Sequence, residues 1–191
     1  MYIEQTLSNG NNVTIKWKAV EGYIYTDNGK KIKASKATGE IVVEVRDKKG
    51  KLLEEKSNEY VEDIKSQGGD NKTNCFGTSL AQGEVWIGVN DTKEVKKLIL
   101  NDGYSMTTSP GAGDVGIYTT YTKDDNINKI LDGNRHAVNV NDVSGGVVTN
   151  VASKNGIVQF RPNVAPGPGP NTAWDDKTTR IVYFTKRVSG K

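Results

Sequence analysis

The chain has 191 residues, 26 Lys+Arg against 23 Asp+Glu for a formal charge of +3, and 35% hydrophobic residues. That length accommodates one mid-sized domain, or one domain with a small appendage, and 21 glycines with 5 prolines mark it as polar and turn-rich. The charges are interspersed, with no basic stripe and interleaved aromatics to suggest a nucleic-acid partner, and no run reaches the ~18 apolar residues of a membrane helix.

The opening residues, MYIEQTLSNGNN, lack the charged start and apolar core of a secretory signal. Export would then need a longer parent chain or a dedicated machine, and the compartment stays open. Residues 1–62 read as consecutive β-hairpins. Val13, Ile15 and Trp17 alternate with polar neighbours at the period of a half-buried strand. Asp27-Asn28-Gly29 and Lys49-Gly50 supply the chemistry of tight turns between strand-like runs. This leader carries no cluster of nucleophile, base or ligand.

Residues 64–74 are polar and glycine-rich and mark a boundary, so a second unit is expected over 63–191. CFGTSLAQGEVW has room for two helical turns. Residues 90–103 form the best helix in the sequence, with Asp91 or Thr92 as cap, Glu94 in the first turn, Val95, Leu98 and Ile99 on one face and Gly103 as terminator. Strands are expected at 114–121, 136–143, 147–152, 156–161 and 180–188, with Ser144-Gly145-Gly146 turning between two of them. Residues 163–176 read as a long exposed Pro/Gly loop.

Gly111, Gly113 and Gly116 have G-x-G-x-x-G spacing. A dinucleotide site needs a strand before the motif and a helix after it. Here Ser109-Pro110 precede it and the β-branched, aromatic run DVGIYTTYT follows, which is strand material. The glycines therefore belong to a turn entering a strand, with Asp114 at that turn or at the strand start. No cofactor is expected.

The chain has one cysteine and one histidine, which excludes an internal disulfide and leaves no cysteine pair for zinc. A free cysteine is most often a small buried hydrophobe. Cys75, however, follows polar Asn71–Asn74, precedes Gly77, and stands at the start of a short helix, where free N–H groups favour thiolate. His136 opens a strand whose buried candidates are Val138 and Val140; taken alone it reads equally well as a surface histidine. Asn150 lies among Val147, Val148 and Val151 on the returning strand, either facing solvent or bonding a partner such as an imidazole.

The order of these parts resembles the papain-like cysteine hydrolases of the NlpC and CHAP type: NCFG at Asn74, Cys75 and Gly77, SPGAGD for the turn into the first core strand, HAVNVND for the histidine strand, and Asn150 as the polar third residue. It spans roughly residues 65–160, with two extra residues in the turn and asparagine where an acid might stand. The leading hairpins resemble, faintly, the tails of bacterial Rhs-type polymorphic toxins. The resemblance implies an α+β fold with short helices on an antiparallel sheet, Cys75, His136 and Asn150 as catalytic residues, and acyl transfer on an amide in a peptide, peptidoglycan or protein substrate. It implies a bacterial effector or toxin role, with an immunity protein as partner. The Cys75 backbone N–H, with Asn74 or Gln67, would serve the oxyanion, and Trp86 and Trp174 would contact substrate. The competing reading is a non-catalytic β-rich binding module, with Trp86, Trp174 and the tyrosines of 118–121 lining a groove, or a structural fragment of a larger surface or toxin protein.

Overall fold

The computed structural model describes residues 2–6, 10, 12–55, 73–88, 93–123, 125–154, 160–169 and 171–186. Within them, turn chemistry sets the front half of the fold. Strand β1 (Tyr2–Thr6) pairs antiparallel with β2 (Asn12–Tyr25), which turns back into β3 (Lys31–Arg46), and β3 pairs with β4 (Leu52–Glu55). The β2–β3 turn is closed by the Gly29 N–H donating to the Thr26 carbonyl at 2.8 Å, with Gly29 at φ 78°. Only glycine takes that left-handed conformation without strain, so Asp27-Asn28-Gly29 turns where the sequence expects. Gly50, at φ 82°, does the same between β3 and β4. The alternating Val13, Ile15 and Trp17 fall on β2, but their side chains lie outside the described residues.

The expected boundary near residue 62 lies outside the described residues, within 56–72. On its two sides the structure is shared. Strand β5 (Trp86–Ile87) adds to β3 through Ala34↔Ile87 and Ser35↔Trp86, and Ile32 is buried in the same cluster as Leu98 and Ile99. The hairpins therefore contribute to the core of the following region.

That region is a six-stranded sheet in the order β10-β9-β8-β7-β11-β6, antiparallel at every pairing. Its strands are β6 (Tyr104–Thr107), β7 (Val115–Thr119), β8 (Asn134–Ser144), β9 (Val147–Lys154), β10 (Phe160–Val164) and β11 (Arg180–Lys186). Helices α1 (Cys75–Leu80), α2 (Lys93–Asn101) and α3 (Ile127–Asp132) accompany it. The chain is thus an α+β protein with mostly antiparallel sheets and few, short helices; no described helix is long and apolar enough to cross a membrane.

Side-chain alternation splits the sheet into two buried faces. One carries Val115, Ile117, Ala137, Val182 and Phe184, packed with Cys75 and Phe76 of α1, with Val95, Leu98 and Ile99 of α2, and with Ile130 and Leu131 of α3. The other carries Tyr118, Val138, Val140, Val148 and Val151, covered by Ala173 and Trp174.

Helix α2 buries Val95, Leu98 and Ile99 as its spacing predicts and ends before Gly103, at φ 73°; Asp91 and Thr92, its expected caps, lie outside the described residues. The glycine motif is a turn into β7: the Gly111 N–H donates to Asp114 Oδ2 at 2.9 Å, the Asp114 N–H donates to the Gly111 carbonyl at 3.1 Å, and Gly113 has φ 91°. One expectation is corrected in part. Residues 165–176 are a loop as expected, with Ala165, Asn171 and Asp175 exposed, but among the described residues it is not exposed throughout. Val164 ends β10, and the chain beyond it folds onto the second face: Ala173 is fully buried, its N–H bonds the Ala165 carbonyl at 2.9 Å, and the Tyr118 hydroxyl bonds the Pro166 carbonyl. An apolar sheet face needed covering, and Ala173 and Trp174 were the side chains at hand.

Candidate functional site

Cys75 is the first residue of α1, and Asn74 is its N-cap. The Asn74 Oδ1 accepts from Gly77 N–H at 2.9 Å and from Ile87 N–H at 3.3 Å, while its Nδ2 donates to the Ile87 carbonyl at 2.7 Å. Both ends of this buried amide are committed to fastening α1 to β5, so it is not the oxyanion donor that the sequence suggests. Gln67, the other side chain considered for that role, lies outside the described residues. Gly77 is required by packing: a Cβ there would stand 1.7 Å from the Val85 carbonyl oxygen and 2.3 Å from Thr73 Oγ1.

The thiol of Cys75 is 8% exposed and belongs to the first apolar cluster. Burial pushes its pKa up to about 11, against the opposing pull of hydrogen bonds from the backbone of Ala137, Phe76 and Cys75 itself. Cys75 shares its cluster with Ala137, the residue that follows His136.

His136, paired with Tyr118 across the β7–β8 ladder, is 1% exposed. Its ring is stacked on Trp174 with centroids 4.8 Å apart and planes 11° from parallel, and lies 5.5 Å from the Tyr118 ring. Burial pushes the imidazole pKa down to about 3. Its Nε2 lies 2.8 Å from Ser153 Oγ, and that hydroxyl also bonds the Ala173 carbonyl at 3.3 Å. A serine has one proton to give. Spent on Ala173, it leaves Oγ as the acceptor, which assigns the imidazole proton to Nε2 and leaves Nδ1 with its lone pair.

Cys75 and His136 are thus linked through residue 137, yet their side chains serve different clusters. No hydrogen bond joins them among the described residues. Ala137 shares the thiol's cluster, while the imidazole packs on Tyr118 and Trp174.

Asn150 is not brought to the histidine. It pairs with Asp142, six residues along β8 from His136 or about 20 Å at strand spacing, and its Oδ1 accepts from Asn141 Nδ2 at 3.3 Å. The side chain on the imidazole is Ser153, which the sequence reading missed. Its signal was the face: Ser153 pairs with Val138 and lies two residues from Val151, on the side of β9 that meets His136, Val138 and Val140. Of the two tryptophans expected at substrate, Trp86 is 3% exposed and sealed beside β3, which removes it from any groove wall. Trp174 is half-buried over the imidazole, and its Nε1 is buried with no hydrogen-bond partner among the described residues. Among the described residues no three His, Cys, Asp or Glu side chains gather as a metal-ligand set.

Comparison with protein families, with curated proteins and with solved structures gives no match.

Proposed function

We propose that the chain is a cysteine-dependent amide hydrolase of papain-like type, with Cys75 as nucleophile, His136 as base and Ser153, in place of Asn150, holding the imidazole. One observation supports this reading: Cys75 packs in one cluster with Ala137, the residue after His136, while Ser153 engages Nε2 of the imidazole on the other face of β8. In a cysteine hydrolase the base must present one nitrogen to the thiol while the other is fixed by a third group.

The resting pair is neutral at pH 7, since the thiol sits near 11 and the imidazole near 3. The reaction then begins as a concerted step. It requires the imidazole to leave its place against Trp174 and reach the thiol; Nδ1 then takes the thiol proton as the sulfur bonds the amide carbonyl carbon, and the carbonyl electron pair moves to oxygen as an oxyanion. The Cys75 backbone N–H is the donor that this reading assigns to the oxyanion. Collapse expels the amine, which takes the proton from the imidazolium, and water releases the acyl group from sulfur by the reverse sequence. A peptide, peptidoglycan peptide or protein amide fits this chemistry, and an effector acting on such a substrate would have an immunity protein as its partner.

A second reading is favoured by the sealing of the thiol and its separation from the imidazole: a non-catalytic β-rich interaction module in which both residues are structural. A peptidyl electrophile selective for activated cysteines separates the two. The hydrolase gives an adduct on Cys75 that forms at least 100-fold more slowly in His136→Ala. An adduct that forms at the same rate in His136→Ala, or no adduct on the folded wild-type protein, establishes the module instead.

A further inference from the structure

A cavity of about 250 Å³ lies where the tip of the β2–β3 hairpin meets the end of α1, α2 and β11. Its accessible aliphatic surface comes from Ile24 and Leu80, with Ile32 and Leu98 fully buried behind them. Three carboxylates, Asp27, Glu84 and Asp102, share its lining with a single ammonium, Lys186. Lys186 is itself held by two of them, with Nζ 3.0 Å from Asp27 Oδ2 and 2.8 Å from Asp102 Oδ2. Asp102 also accepts the Asp27 N–H at 2.6 Å, so that corner is a finished internal structure. Glu84 is different: it is exposed, and no side-chain bond to it is present among the described residues.

We propose that this cavity binds the side chain of a lysine or arginine presented by a peptide or protein partner. The argument is complementarity in two parts. An aliphatic stem of three or four carbons can lie on the half-buried Ile24 and Leu80, as long basic side chains do when they cover apolar surface. The cation at its end meets carboxylates that outnumber the local ammonium by three to one, with Glu84 the partner still unengaged. An acidic side chain would face the same three carboxylates and be rejected, and a purely apolar one would leave Glu84 unanswered. Lys186 shows that the acceptors here are spaced to hold an ammonium. The site does not use Cys75, His136 or Ser153, so it stands or falls independently of the hydrolase reading.

The test uses the full chain and four blocked amino acids: the N-acetyl amides of lysine, arginine, norleucine and glutamate, titrated while the methyl resonances of Ile24 and Leu80 are followed by NMR. Lysine and arginine amides should shift these methyls saturably, with norleucine at least 10-fold weaker and glutamate without effect. Glu84→Gln, an exposed substitution that leaves the Asp27–Lys186–Asp102 corner intact, should weaken the basic ligands 3- to 10-fold and leave norleucine unchanged. Norleucine binding as tightly as lysine, no saturable shift with either basic ligand, or unchanged lysine binding in a folded Glu84→Gln protein would each overturn the proposal.

Discussion

The imidazole of His136 and the hydroxyl of Ser153 meet at 2.8 Å inside the second sheet, with Trp174 stacked on the ring. Asn150 lies three residues back along β9 and bonds Asn141 instead, so the two polar residues of β9 should behave differently on substitution. Ser153→Ala removes the acceptor of Nε2–H and the donor to Ala173 in a site that is 2% exposed. It should cost about 1–3 kcal/mol of stability and slow the labelling of Cys75 by roughly ten-fold or more. Asn150→Ala should leave labelling within two-fold of wild type (~0.4 kcal/mol). Urea unfolding and adduct mass spectrometry read both outcomes.

The acid limb of stability should carry the signature of His136. Burial holds its folded pKa near 3, well below the ordinary 6.5. As pH falls below 6.5 the unfolded chain binds a proton that the folded chain refuses, so the stability present above pH 6.5 is lost progressively towards pH 3. By pH 5 this amounts to about 2 kcal/mol. Replacing His136 with Gln, which does not titrate, should flatten the pH dependence of unfolding between 7 and 5 by that amount. An unchanged slope in the variant would assign the acid sensitivity to other groups.

Free Cys75 should resist simple alkylation. With its pKa pushed up to about 11, the thiolate fraction rises tenfold per pH unit through the neutral range and beyond, so iodoacetamide modification should climb steadily from pH 7 to 10 without a plateau. A plateau near pH 6, with rapid reaction there, would mean that the sulfur is drawn into an ion pair with His136 in solution.

Gly77→Ala should be severe. The Cβ would sit 1.7 Å from the main-chain oxygen of Val85, and backbone cannot step aside as a flexible side chain can. A loss of about 3 kcal/mol, or failure to fold, is expected. Gly29→Ala has open space around it, and its cost should come from φ alone, about 1 kcal/mol. Thermal melts of the two variants side by side separate crowding from conformational strain.

Local chemistry made much of this fold readable. Asp27-Asn28-Gly29 and Ser144-Gly145-Gly146 turn where their glycines allow it, and α2 follows the spacing of Val95, Leu98 and Ile99. Elements fixed by distant partners were harder to see. Two-residue β5 exists because β3 offers it an edge, β6 because β11 does, and the segment around Ala173 is ordered by the apolar face beneath it rather than by its own prolines and glycines. The site divides in the same way. Cys75 at a helix start and His136 on a strand can be expected from sequence, whereas choosing Ser153 over Asn150 needed the register of β8 against β9. A one-residue slip in that register exchanges the faces.

The graft of β5 onto β3, with Ile32 seated among Leu98 and Ile99, has a practical corollary for anyone cutting or transplanting the chain. Deleting the front hairpins does not trim an ornament. It strips a wall from the interior of what remains, leaving α2 oily and wet on its inner side, and a shortened protein made that way should be recovered as aggregate.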